Sequence, residues 1–463
     1  MSAEASGASF RDPSGFIFHR AGGLFRQVNE AYRPHFDHLI DSGLYAELSA
    51  DGLLVRHVER PLEEALTEKA YRVLEPERVP FVSFPYEWSF SQLRDAALLT
   101  LEVQLRALER GMVLKDASAF NVQFIDLQPI LIDTLSFEVY EEGSPWIAYR
   151  QFCQHFLAPL LLAGTVDPRL GRLSALYLDG VPLELATELL PWTSRLRPSR
   201  LLHVHLHARS LRRHARISVE RSHRASTLTR QRLVALVESL RNTVRGLTLS
   251  RRATEWTGYE QEHGYGAAMQ EKRRIVDRLL RRISPESVWD LGANVGAFSR
   301  IAAAQGARVV SMDMDAVVVD RMYRVLRSEG EGRVLPLVLD VTNPSPALGW
   351  AGAERESLAG RGPAGAVLAL ALLHHLAISN NVPIGRIAEW LSTLAPWLII
   401  EFVPKSDPRV RRLLLSRKDI FGDYRGEVFE REFGRWYRIE ARERIEGTER
   451  EVYLMKRIER GIS

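Results

Sequence analysis

The chain has 463 residues, more than one compact core usually holds, and about 100–200 residues per domain implies two or three domains. Its apolar share of 46% is that of a soluble globular protein, and no apolar run is long enough to span a bilayer; FLAPLLLAG (156–164) and AVLALALLHHL (366–376) read as buried elements. The net charge of +4 excludes a polycation, and Cys153, the sole cysteine, excludes an internal disulfide and fits a reducing, cytoplasmic compartment.

Taken in chain order, MSAEASGASFRDPSG has no charged segment followed by an apolar one, so no signal peptide is expected. An α+β domain is expected over residues 1–200. Its strand-like pieces are GFIFHR, LFRQV, GLLVRHVE and PFVSFP, and its helical ones SQLRDAALLTLEVQLRALERG and WIAYRQFCQHFLAPLLLAG. Between the helical pieces, GMVLKDASAFNVQFIDLQPILIDTLSFE (111–138) places Asn121 five residues after Asp116, with Asp133 following an apolar strand. Phosphotransferases of the protein-kinase-like fold need a base, then an asparagine and an aspartate on the phosphate-bound metal, at close to this spacing. The stretch resembles that fold, and the resemblance implies Asp116 as base with Asn121 and Asp133 as metal ligands. The departures are Leu135 where the metal motif has glycine, no lysine of V-A-I-K type on an early strand, and AGGLF (21–25) as a poor glycine loop.

Residues 201–255 read as a basic helical connector. From Arg200 to Arg252 there are thirteen arginines against Glu220 and Glu238, with five histidines. Such a stretch is a solvated connector or a surface for an anionic partner. No aromatics are interleaved, so nucleic acid is not expected. HVHLH (203–207) has no acidic or cysteine ligand nearby, so no metal site is expected there.

Residues 256–463 alternate amphipathic helices with apolar strands: EKRRIVDRLLRRI, SVWDLG, GAFSRIAAAQG, ARVVSMD, AVVVDRMYRVLRSEG, VLPLVLD, GAVLALALL, PIGRIAEWLSTLAP and WLIIEFV. RWYRIEARERI and REVYLMKRI, joined by EGTER, close the chain as an antiparallel pair. The alternation predicts a doubly wound parallel sheet, Rossmann-like, with helices on both faces. VWDLGANVGAFSR (288–300) puts Gly292 and Gly296 in the first strand-to-helix turn, where bare backbone lets a ligand approach closely. A dinucleotide site wants G-x-G-x-x-G. Here the close glycine pair is missing and Asp290 precedes the turn, which suits a ligand with an ammonium group. S-adenosylmethionine has one. Asp313 ends the second strand, placed for ribose hydroxyls, and Asp340 follows the third, placed for the adenine amine.

DLGANVGAFS, VVSMDMD, LVLDVT, ALLHHL and IIEFVPK, in that order, resemble a class I S-adenosylmethionine-dependent methyltransferase. The resemblance implies that Asp290, Gly292 and Gly296 border the methionine end, that Asp313 holds ribose and Asp340 adenine, and that Asn294 lines the pocket; Asp315 is a lesser ribose partner. ALGW, LALALLHHLAISNNVP, EFVPKSDP, KDIFGDY, YEWSFSQLRDAALLTL and AYRQFCQHFLAPL narrow the likeness to the group that includes nodulation-associated host-specificity methyltransferases. The acceptor is expected to be a small molecule or glycan, methylated at a hydroxyl oxygen. Direct methyl displacement needs positioning and, for a hydroxyl, a base. His374 and His375 follow the fourth strand and Glu401 ends the fifth, so these three are the catalytic candidates. Strand alternation would point the two histidines to opposite faces, His374 packed and His375 exposed, with Asn380 or Asn381 binding acceptor. Trp256, Tyr259 and Tyr265 are candidates to close over the cofactor. The alternatives are a kinase-like phosphotransferase with a regulatory methyltransferase half, and an anion-binding adaptor.

Overall fold

A computed structural model of the chain describes residues 4–196, 203, 229–249, 266–415 and 418–459. They divide into two compact units, Met1–Arg252 with Ala347–Arg355, and Ala253–Pro346 with Glu356–Ser463.

The first unit is α+β. Strands β1 (Glu4–Ala5), β2 (Gly15–Arg20), β3 (Gly23–Asn29), β4 (His57–Arg60) and β5 (Ala70–Pro76) form an antiparallel sheet in the order β1-β2-β3-β5-β4. AGGLF holds the β2–β3 turn: Ala21 and Gly22 both have positive φ, as a two-residue hairpin turn requires. Phe18, Phe25 and Val73 pack together in this unit, as do Val28, Tyr32, Phe36, Leu74 and Leu135. PFVSFP is not a strand; the strand is β5, just before it. Two prolines deny that segment a ladder, and the Gln123 side chain takes the place of a neighbouring strand, accepting from Ser83 N (2.9 Å) and donating to Ser83 O (2.8 Å).

A long buried helix, α1 (Phe90–Glu109), starts at a capping box in which Ser89 and Gln92 bond each other's backbone amides. Two ribbons follow, β6 (Met112–Leu114) with β9 (Phe137–Val139) and β7 (Val122–Ile125) with β8 (Gln128–Leu131). Helix α2 (Arg230–Arg245), from the basic stretch, buries Leu233, Val237, Leu240 and Val244. It is tied to α1 by Arg241 and Glu102 at 3.1 Å. Residues 347–355 also belong to this unit, with Glu354 paired to Arg11 at 2.5 Å and the Arg355 guanidinium 4.3 Å from the centre of the Phe120 ring.

The second unit runs α3 (Gly266–Ile283), β10 (Ser287–Leu291), α4 (Ala297–Ala304), β11 (Arg308–Asp313), α5 (Ala316–Glu329), β12 (Val334–Val338) and β13 (Ala366–Ala369). It continues α6 (Ile384–Leu394), β14 (Trp397–Phe402), α7 (Pro408–Leu414), α8 (Gly426–Phe433), β15 (Tyr437–Arg444) and β16 (Glu451–Arg457). The sheet order is β12-β11-β10-β13-β14-β16-β15; the first five strands are parallel and β16 is antiparallel to both neighbours. This Rossmann-like order, with its terminal antiparallel pair, is that of the class I methyltransferase fold. The strand order reverses between β10 and β13, and the carboxyl ends of the strands at such a point are where open α/β sheets bind ligands.

Candidate active site

The β10–α4 turn is built for close approach. Gly292, Asn294 and Gly296 all take left-handed φ values, 73°, 51° and 78°. A Cβ on Gly296 would lie 2.7 Å from Met322 Sδ, so only glycine fits there. The turn is pinned from below: Gly292 N and Ala293 N both donate to Met312 O, at 2.9 and 3.0 Å. Gly292 stays exposed, while the Asn294 Oδ1 acceptor is buried without a hydrogen-bond partner. A buried acceptor left unmet beside an exposed glycine suits a donor from a bound ligand, so the turn fits the ammonium end of S-adenosylmethionine.

Four carboxylates lie at or just beyond the carboxyl ends of β10, β11 and β12, and each has different partners. Asp290 is buried, and Ser299 Oγ donates to its Oδ2 at 2.6 Å. Burial pushes its carboxyl up to about 6, against the opposing pull of Ser299 and the Lys272 ammonium. Asp313 accepts the Asn294 amide on Oδ2 and the Asp315 amide on Oδ1, both at 2.9 Å. It therefore shapes the turn from the end of β11. Asp315 caps α5, accepting from Val317 N at 2.9 Å and Val318 N at 3.3 Å, which gives this acid a structural task of its own. Asp340 closes a local turn with Oδ1, accepting from Thr342 N and Oγ1 at 2.9 and 2.6 Å.

His374 and His375 lie beyond β13, which ends at Ala369, and enter a π-helical turn, His375–Ser379. Strand alternation therefore does not govern them. Their rings sit side by side, centroids 4.2 Å apart and tilted 38°, rather than on opposite faces. His374 is buried with Nδ1 unmet, and burial, with His375, Arg450 and Lys272 nearby, holds its pKa well below the usual value. His375 is partly exposed; burial and Arg409 lower its pKa as well. Both imidazoles are neutral at pH 7. Asn380 Nδ2 donates to His375 O at 2.9 Å, closing the π turn.

Glu401 is fully buried between Lys272, 2.5 Å away, and Arg450 at 3.3 Å. It acts as a counter-ion for two cations, and the His374 Nδ1 atom has no hydrogen-bond partner. Arg450 also pairs with Asp407 at 2.7 Å. EFVPKSDP and KDIFGDY meet here: Lys405 pairs with Asp419 at 2.8 Å, and Phe402 stacks on Tyr424. Sequence reading passed over Lys272 as one more polar position of an amphipathic helix; its only signal was that it falls on the apolar stripe Ile275, Val276, Leu279. Trp256, Tyr259 and Tyr265, and His205 and His207 of HVHLH, lie outside the described residues.

In the first unit the structure does bring Asp116, Asn121 and Asp133 together. Asp116 accepts from Ser118 N and Gln151 Nε2, and Asn121 donates to Ser136 Oγ, which donates to Asp133 Oδ2. Arg26 on β3 forms a close ion pair with Asp133 Oδ1, so this carboxylate already has a cationic partner. Burial alone would raise the Asp133 carboxyl, but Arg26, Ser136 and the Leu135 amide carry it below its ordinary value. Asp116 is raised, by burial and then by Asp133. Arg26 was missed in the sequence because a single basic residue in LFRQV reads as an outward strand position, whereas Phe25, Arg26, Gln27 and Val28 are all buried.

No protein-family model matches the chain. The N-methyltransferase NodS from Bradyrhizobium japonicum WM9 superposes on 42% of this chain and 98% of its own, at 14% identity and TM-score 0.32. Magnesium protoporphyrin IX methyltransferase (ChlM) from Synechocystis PCC 6803, with bound SAH, covers 44% of this chain and 93% of its own, at 16% identity and TM-score 0.32. The bifunctional kinase-methyltransferase WbdD covers 42% of this chain and 40% of its own, at 17% identity and TM-score 0.29. Nodulation protein NoeA of Rhizobium meliloti (strain 1021) is 35% identical over 465 residues, spanning 97% of this chain and 96% of that protein. By that match the chain belongs to the family of the nodulation protein NoeA.

Proposed function

We propose that the second unit transfers a methyl group from S-adenosylmethionine to a hydroxyl oxygen of a small molecule or glycan, in the cytoplasm. The observation that carries this reading is the glycine turn with its unmet Asn294 acceptor, pinned to the strand that ends in Asp313, at the reversal of the sheet order. When bound, the cofactor supplies an electrophilic methyl on a sulfonium. Asn294 and Asp290 receive the ammonium end, Asp313 the ribose hydroxyls, and the Asp340 carboxylate the adenine amine.

His375 is the base. It is neutral at pH 7, partly exposed and next to the strand end, so it can take the acceptor's proton as the oxygen attacks. His374, kept neutral chiefly by burial and secondarily by His375 and the nearby cations, supports the His375 ring instead. Compared with the phosphotransferase alternative, this reading has an unmet buried acceptor at its site, Asn294 Oδ1, whereas Asp133 is already paired to Arg26. Incubation with methyl-labelled S-adenosylmethionine and a panel of hydroxylated glycans and small acceptors tests it: label should appear on oxygen. Label on nitrogen alone would transfer the reading to a different acceptor class. No label on any acceptor, together with ATP turnover by the first unit, would overturn it.

A further inference from the structure

We propose that the acceptor carries an anionic group, a carboxylate or a phosphate, held by Arg409 and Arg412 of α7 beside the base; this rests on the methyltransferase reading above and names its substrate class. Helix α7 follows β14 past its carboxyl end, on the edge of the parallel sheet that also carries the β10–α4 turn. Its Cα atoms come within 8 Å of those of the π turn His375–Ser379. The helix is fixed in place: Val410 is fully buried, and Asp407 caps the first turn by accepting from Arg409 N at 2.9 Å. Arg409 and Arg412 are three residues apart and so share one helix face. Arg409 is half-buried and Arg412 exposed.

The carboxylates nearby are committed to other groups. Lys272 and Arg450 are answered by Glu401 and Asp407, two against two. Asp407 is engaged through both oxygens, Oδ1 by the Arg409 amide and Oδ2 by the Arg450 guanidinium. Asp419 is held by Lys405 and by the Phe421 amide. The helix itself, PRVRRLL, has no acidic residue, and the Arg412 side chain has no carboxylate partner among the described residues. The cations acting on the paired histidines agree with that bookkeeping: Arg409 acts on both rings, and Arg450 and Lys272 on His374. A guanidinium face without its own carboxylates fits an oxyanion, which it meets with paired N–H donors. An anion bound there also offsets the repulsion that Arg409 exerts on a protonated His375, so such an acceptor raises the proton affinity of its own base.

The test is a titration of the full chain, saturated with S-adenosylhomocysteine, with glucuronate, glucose 6-phosphate and methyl glucoside. Binding is read by calorimetry, and the His375 imidazole by NMR of labelled histidine, with the His375→Asn protein assigning its signal. At least one of the two anions should bind saturably and raise the His375 pKa, while methyl glucoside does neither. Tighter binding of glucuronate assigns the group as a carboxylate, tighter binding of glucose 6-phosphate as a phosphate. The double variant Arg409→Gln, Arg412→Gln should lose about tenfold or more in affinity for the anion and start from a higher His375 pKa that the anion no longer moves. Arg411→Gln, on another side of the helix, should behave as wild type. Binding of methyl glucoside as tight as that of the anions, no saturable binding of either anion, or anion affinity that survives the double variant would overturn the proposal. Failure of the wild type to bind S-adenosylhomocysteine would instead sink the methyltransferase reading, and the anion titration would still be scored on its own.

Discussion

Replacing Asp290 by asparagine should make the second unit more stable while spoiling its function. In the folded chain the Asp290 carboxyl is raised from 3.8 to about 6 by burial. A shift of roughly two units is equivalent to about 3 kcal/mol of preference for the neutral acid. The sign follows from proton linkage. A carboxyl whose folded pKa exceeds its unfolded one binds a proton on folding, so its stabilising effect is complete below the unfolded pKa. That effect is lost as pH rises toward 6, and above 6 the folded protein carries an ionised, buried carboxylate at a cost approaching those 3 kcal/mol. Asparagine keeps the shape and can still accept from Ser299 Oγ, but it carries no charge. Chemical unfolding followed by circular dichroism at a series of pH values should show the variant ahead by about 1–3 kcal/mol at pH 7, the lead shrinking to nothing between pH 6 and 4. Affinity for S-adenosylhomocysteine should fall in the same protein. A variant less stable than wild type at pH 7, or a lead that does not change with pH, would refute the assignment of Asp290 as a strained, functional charge.

Gly296→Ala should cost about 1–3 kcal/mol of stability and weaken cofactor binding, because its φ of 78° and the Met322 sulfur 2.7 Å from any Cβ leave no room; unchanged affinity would mean the turn is not the binding element. His375→Asn should lower the turnover number about 10²-fold and remove the acidic limb of the rate profile. That limb should lie below pH 6.5 in the wild type, since burial and Arg409 lower the histidine pKa; a limb retained in the variant would acquit His375. Arg26→Ala should destabilise the first unit by about 1–3 kcal/mol, by leaving the half-buried Asp133 without its cation. Manganese should recover part of that loss in the variant and do nothing for the wild type. Magnesium-dependent ATP turnover by the wild type would contradict the guanidinium's place there.

Periodicity made the second unit legible from sequence almost strand by strand, because every parallel strand is an apolar run bounded by an amphipathic helix. The glycine turn was equally clear, since few other arrangements put two glycines and an aspartate in that order. The first unit was harder. PFVSFP has the composition of a strand, yet its backbone partner is the Gln123 side chain, a contact 40 residues away that no local pattern reveals. Ionic partners were the least legible. Glu401 stood at a strand end in the linear order and looked free to do chemistry. Its two cations come from Lys272 and Arg450, 129 residues before it and 49 after it, and only the fold brings them together. Arg26 and Asp133, 107 residues apart, repeat the lesson. The paired histidines show a subtler limit: the strand stops at Ala369, so the two-residue alternation had lapsed before His374.

Isothermal titration of the full chain with S-adenosylhomocysteine is the most direct test of the central claim. One saturable site per chain is expected for the wild type, and none for a double variant, Gly292→Arg with Asp313→Ala, which fills the exposed glycine and removes the carboxylate that anchors the Asn294 amide. Heat of binding absent from the wild type, or a double variant that binds as tightly as the wild type, would contradict a methyl-donor site at the β10–α4 turn.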